Sequence, residues 1–116
     1  MQNFSKFFFF IFLLIITQCS SNKEIKKDEL VEKDLEKQMV EVYKEGIKSL
    51  EEGDNLFAAK KFNEAEIIYP QSIWAAQAIL MSAYAYYELN FLQSAIDEVD
   101  RFIIKYPNHE NISYAH

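Results

Sequence analysis

Hydrophobic positions along the chain fall into three regimes. Residues 7–16 are ten uninterrupted apolar side chains, preceded by Lys6 and followed by Thr17 and Gln18. Residues 20–36 then hold four lysines and six acids in 17 positions, with no helical stripe. From Leu35 onward the period becomes helical. Leu35, Met39, Val42/Tyr43, Gly46/Ile47 and Leu50 lie on one stripe, with Lys and Glu on the opposite face. Gly53 ends this helix, because a left-handed residue after the last turn costs glycine least. Phe57/Ala58, Phe62, Ala65 and Tyr69 mark a second helix closed by Pro70. Ser72 is placed to N-cap a third, running to about Leu89. Leu92, Ala95/Ile96, Val99, Phe102/Ile103 and Tyr106 mark a fourth, ended by Pro107. No period-2 run competes, so the pattern predicts an all-α fold.

The two halves of this region repeat. Tyr69-Pro70 and Tyr106-Pro107 are 37 residues apart, and the same offset relates Ala58 to Ala95 and Gly53 to Asn90. The last pair is informative, since Asn follows Gly in tolerance of the left-handed conformation. Helix–turn–helix content with a period in this range predicts an α-solenoid. The pattern resembles the tetratricopeptide repeat, whose unit is about 34 residues. With each proline at the terminal position, Ala58, Phe62 and Ala65 fall on the small-large-small signature of the second helix. In the second unit the same alignment gives Ala83 and Tyr86 in the first helix and Ala95 in the second, where Val99 and Phe102 replace the usual Phe and Ala. Neither unit opens with Trp-Leu-Gly.

Only Ser72, Gln77, Ser82 and Glu88 are polar among residues 72–89. A helix apolar all round is buried on most sides, as the first helix of an internal unit would be. The repeat register puts Ile79, Ser82, Ala83 and Tyr86 inside. It leaves Gln77, Leu80, Tyr84 and Tyr87 toward the concave groove, where helical repeats bind extended peptides. The alternative, that these tyrosines only pack on the next unit, stays open at this point.

The apolar run 7–16 carries an address. Ten helical residues reach about half of a ~30 Å hydrocarbon core, which suits the h-region of a secretory signal better than a span. Cys19, the only cysteine, follows three positions after the run ends at Ile16. The segment Ile15-Ile16-Thr17-Gln18-Cys19 resembles the lipobox of bacterial lipoproteins, which implies cleavage between Gln18 and Cys19 and a covalent lipid on Cys19. Gln18 stands where the pattern usually has Gly, Ala or Ser. Each buried acyl CH₂ contributes about 0.8 kcal/mol, so a triacylated cysteine would hold a soluble domain on a membrane. The expected organisation is a signal peptide at 1–18, lipidated Cys19 with a charged tether to residue 34, repeat one at 35–70, repeat two at 71–107, and the start of a third at 108–116.

Composition narrows the function classes. A net charge of −6 argues against a nucleic-acid binder. Two glycines exclude a glycine-rich phosphate loop, and one cysteine excludes a disulfide framework or a cysteine-rich zinc site. His109 and His116 have no second ligand at metal spacing. The acidic clusters Glu51-Glu52-Asp54 and Asp97-Glu98-Asp100 read as helix-end and solvated-face charges. The expectation is a protein without catalysis, metal or cofactor.

A more specific likeness runs through residues 69–115. Tyr69-Pro70-x-Ser72-x-Trp74-Ala75, Leu80-Met81-x-Ala83-Tyr84-Ala85-Tyr86-Tyr87, Arg101-Phe102-Ile103, Tyr106-Pro107-x-His109 and Tyr114-Ala115 resemble the BamD family, lipoproteins of the β-barrel assembly machinery. Glu110 departs from the proline common after that histidine. The resemblance implies a lipid-anchored scaffold and receptor on the periplasmic face of the outer membrane. Its implied partners are BamA, accessory Bam lipoproteins and unfolded outer-membrane protein clients. By the same analogy Tyr43 and Ile47 would extend the groove. Two alternatives remain: a periplasmic adaptor coordinating cell-wall enzymes, or a repeat protein held by an uncleaved anchor. The resemblance also implies a longer array, truncated here in its third repeat.

Overall fold

The computed structural model describes residues 21–116, with side-chain environments from Lys26 onward. The apolar leader, Gln18 and Cys19 lie outside the described residues. Five helices follow in order: α1 (Ser21–Glu51), α2 (Asn55–Ile68), α3 (Ile73–Glu88), α4 (Leu92–Lys105) and α5 (Ile112–Ala115). Among the described residues there is no strand, and the fold is an all-α, tetratricopeptide-like array. Packing divides the chain at Val31/Glu32, and the unit Glu32–His116 holds the stacked helices.

The turns explain why the helices end where they do. At Gly53 (φ 83°) the Gly53 N–H donates to the Leu50 carbonyl at 3.1 Å and the Asp54 N–H to the Ser49 carbonyl at 2.9 Å. At Asn90 (φ 60°) the Asn90 N–H donates to Tyr87 at 2.8 Å and the Phe91 N–H to Tyr86 at 2.9 Å. Both are Schellman motifs, and both satisfy carbonyls that a helix end would otherwise leave open. The second pair of ends obeys another rule. Tyr69 (φ −145°, ψ 80°) and Tyr106 (φ −127°, ψ 55°) precede prolines, whose rings clash with a helical residue before them. Turns then close identically, Ser72 N–H to Tyr69 and His109 N–H to Tyr106, at 3.1 and 3.0 Å. Asp54 and Ser72 cap the next helices through side chains that accept from Phe57 N at 3.1 Å and Trp74 N at 3.2 Å.

One boundary differs from the sequence reading. The charged stretch before Leu35, expected as a tether without helix, is helical from Ser21. It contains no Gly or Pro and is rich in Lys and Glu, both good helix formers. Side chains from Lys26 to Asp34 are exposed, so this length of helix is solvated rather than packed.

The core explains the recurring alanines. Met39 of α1, Ala58, Ala59, Phe62 and Ala65 of α2, and Ala78 and Ala85 of α3 form one buried cluster. Ala76, Ile79 and Phe102 form a second, joined by Leu80, Ile103, Tyr106, Ile112 and Ala115. On α3, Ala75, Ala76, Ala78, Ile79, Ser82, Ala83 and Ala85 are all buried, a set that wraps around the helix. The tightest approach is at Gly46, where a Cβ would stand 2.8 Å from Phe62 Cε1.

Candidate binding face

The six residues expected to line a groove lie on α1 and α3, the first helices of the two hairpins, in three different settings. Tyr43 is half-buried. Its ring meets Phe62 edge-on (centroids 5.3 Å apart, 61° between planes) and tilts against Trp74 at 5.8 Å. Burial pushes its phenol pKa up, so the ring keeps its proton and stays a donor at neutral pH. Ile47 packs on the first core cluster. Tyr43 and Ile47 are thus brought together by the first hairpin, with much of their surface spent on it.

On α3 the spacing of Gln77, Leu80, Tyr84 and Tyr87 places all four along one stripe. The N-terminal half of that stripe meets the segment after Pro107. Gln77 Oε1 accepts from Asn111 Nδ2 at 3.4 Å, and Leu80 packs on the Ile79–Phe102 cluster beside Ile112 and Ala115. The C-terminal half is open: Tyr84 is 48% exposed and Tyr87 61%. The six therefore do not form one continuous lining. A row of accessible aromatics remains on α3, and sequence reasoning missed its first member. Trp74, 44% exposed and tilted against Tyr43, sits one turn before Gln77. That three-residue spacing was the available signal.

Sequence reasoning also missed a charged cluster between α2 and α4. Glu66 is 1% exposed, and its Oε2 accepts from Arg101 Nη1 at 2.9 Å while its Oε1 pairs with Lys105 Nζ. Burial drives the Glu66 carboxyl upward, but hydrogen bonds from Lys105 and Arg101 outweigh it and hold the pKa below the ordinary carboxylate value. The Tyr106 hydroxyl donates to the Pro70 carbonyl at 2.8 Å and lies 3.5 Å from Glu66. Burial first, and the Glu66 charge second, push its pKa up to about 12. The signal for Glu66 was its place one turn after Phe62 on the buried stripe of α2.

The His109 ring packs edge-on against Phe102 at 5.4 Å, and its Nδ1 accepts from the Asn111 N–H at 3.1 Å. Asp97 accepts from Gln93 at 2.8 Å. Among the described residues no group of three or more His, Cys, Asp or Glu is placed to hold a metal ion, and no helix is long and apolar enough to cross a membrane.

Paired helices with alanine-lined contacts define a helical-repeat protein of the tetratricopeptide-like class. The chain belongs to the YfiO family of outer membrane lipoproteins, whose pattern matches residues 35–116. It is 38% identical over 74 residues to the outer membrane protein assembly factor BamD of Caulobacter vibrioides, covering 64% of this chain and 24% of that protein. The protein of the same name from Neisseria meningitidis serogroup B is 29% identical over 102 residues, covering 88% of this chain and 38% of the relative. That from Xylella fastidiosa is 40% identical over 48 residues, covering 41% and 16%. The chain thus spans well under half the length of these relatives. No solved structure matches it.

Proposed function

We propose that this chain is a lipid-anchored scaffold and receptor of the outer-membrane β-barrel assembly machinery. Cys19 carries the lipid, and the α1/α3 face receives extended segments of unfolded outer-membrane proteins or of partner subunits. BamA and accessory Bam lipoproteins are the proposed partners, and no cofactor or catalytic residue takes part. The observation that carries this reading is the row Trp74, Tyr84 and Tyr87, exposed along α3 in a member of an outer-membrane lipoprotein family. Exposed large aromatics offer area at low entropic cost, and tyrosine pairs an apolar ring with a hydroxyl. Tyr43, Ile47, Gln77 and Leu80 act in this reading mainly as the floor that holds the row in place.

The test combines recruitment with binding. Tagged full-length protein should copurify with BamA, and labelled palmitate should enter wild type but not Cys19→Ser. Trp74 is the only tryptophan, so its fluorescence reports directly on peptides of alternating aromatic and polar residues. Tyr84→Ala/Tyr87→Ala should weaken that binding about tenfold or more, since truncated hot-spot aromatics cost about 2 kcal/mol or more. Unchanged affinity in the double variant would remove the face from the mechanism, and absence of BamA from the purified material would remove the assignment to that machinery.

A further inference from the structure

The polar contacts between α2 and α4 converge on one buried carboxylate. Glu66 accepts from Arg101 Nη1 at 2.9 Å and pairs with Lys105 Nζ, one turn further along α4. Arg101 is itself held in place: Nη2 donates to Asn63 Oδ1 at 2.8 Å and Nε to Glu98 Oε2 at 3.1 Å. Asn63 Nδ2 closes the ring on Glu98 Oε1 at 3.0 Å. Among the described residues no buried side-chain polar atom is left without a partner.

Stability is a poor reason for this arrangement. Replacing a buried ion pair by apolar side chains of similar size is often neutral or favourable. At the 37-residue offset Glu66 corresponds to Ile103 and Arg101 to Glu64, so the ion pair is not part of the repeated pattern.

The charge does discriminate between registers. Sliding α4 along α2 by one turn moves it about 6 Å. In one direction Arg101 takes the place of Lys105 while Asp97 takes the place of Arg101, setting a second carboxylate beside the buried one. In the other, Lys105 takes the place of Arg101 and His109, beyond the end of α4, that of Lys105. The observed register gives Glu66 both Arg101 and Lys105, and either slip also withdraws Tyr106 from the Pro70 carbonyl. We propose that Glu66 is a register key, a positioning residue that, through side chains bridging α2 and α4, admits α4 beside α2 in one alignment only and so fixes how the second unit sits on the first.

Double electron–electron resonance tests this in the full chain carrying Cys19→Ser, with spin labels at Lys60→Cys and Gln93→Cys, exposed positions on α2 and α4. The parent should give one narrow distance distribution. Glu66→Met/Arg101→Met/Lys105→Met should keep its helical circular dichroism yet add a second distance, displaced by about 6 Å, one turn of helix. A single parent-like distance in that folded variant would overturn the proposal. Should the triple variant not fold, Glu66→Gln decides: it removes the charge at constant shape, so a widened distribution supports the key and an unchanged one refutes it.

Discussion

Alanine at position 46 sets two effects of opposite sign against each other. Gly46 lies inside α1, where replacing glycine by alanine ordinarily gains about 1 kcal/mol of helix propensity. Here the new methyl would stand 2.8 Å from Phe62 Cε1, 2.9 Å from Cδ1 and 3.1 Å from Cζ. Phe62 is fully buried, and Tyr43 meets it edge-on at 5.3 Å, so the ring has no empty space to retreat into. Overpacking a filled core costs about 1–3 kcal/mol, so Gly46→Ala should destabilise by up to about 2 kcal/mol net of propensity. For a domain of this size 1 kcal/mol moves Tm by about 4–8 °C. A double-mutant cycle isolates the contact. Phe62→Leu alone should destabilise by about 1–2 kcal/mol through lost burial, but in combination the alanine methyl occupies vacated space. The double variant should therefore be more stable than the sum of the singles, with a coupling of about 1 kcal/mol. Urea melts read all four corners. Additive singles, or a Gly46→Ala variant that melts above wild type, would refute the claim that this glycine exists to admit the Phe62 ring.

Other perturbations read separate parts of the same stack. Asn90→Ala should cost about 1 kcal/mol because Asn90 holds φ 60°, whereas Asn90→Gly should be near neutral; thermal melts separate the two. Tyr106→Phe should cost about 1 kcal/mol through the lost bond to the Pro70 carbonyl. It should also flatten the alkaline limb: with the folded pKa raised from 10.0 to about 12, the Tyr106 contribution is complete below pH 10 and declines above it, which paired melts at pH 8 to 11.5 would show. At the acid end, Glu66 has a lowered folded pKa, so its contribution is complete above the ordinary value of 4.5 and is lost as pH falls below it. Glu66→Gln should lack that part of the acid dependence, and identical acid profiles would contradict the pairing.

The elements most legible in the sequence were those decided by backbone chemistry. Gly53 and Asn90 can only be read as left-handed stops, and both are; Tyr69-Pro70 and Tyr106-Pro107 force the chain out of helix whatever surrounds them. What resisted reading depends on partners far along the chain. Whether Glu66 is solvated or buried is decided by Arg101 and Lys105, 35 and 39 residues away. On a helical wheel it falls on the Phe62 side, about 200° from exposed Glu64, but the wheel does not show which cations meet it there. The exposed row on α3 shows the same limit. Spacing puts Gln77, Leu80, Tyr84 and Tyr87 on one stripe, but which half stays open is set by where Asn111, Ile112 and Ala115 return to α3. At the other end, the run before Leu35 lacks an apolar stripe, and its side chains from Lys26 to Asp34 are exposed. Lacking a stripe is no bar to helix, and that inference failed at Ser21.

These two kinds of legibility carry different kinds of information. The turns at Gly53 and Asn90 and the two Tyr-Pro ends are copied at 37 residues, so they fix only that the units are hairpins of the same shape. Units built only from such signals could stack in any order or register. The contacts that are not copied are those that cross from one unit to the next: Glu66 meets Arg101 and Lys105, while its counterpart Ile103 packs with Ala76, Ile79 and Phe102. A nearest-neighbour array needs such unrepeated contacts to have a defined order. The departures from the repeat pattern at positions 66, 101 and 105 are therefore where the array distinguishes its first unit from its second.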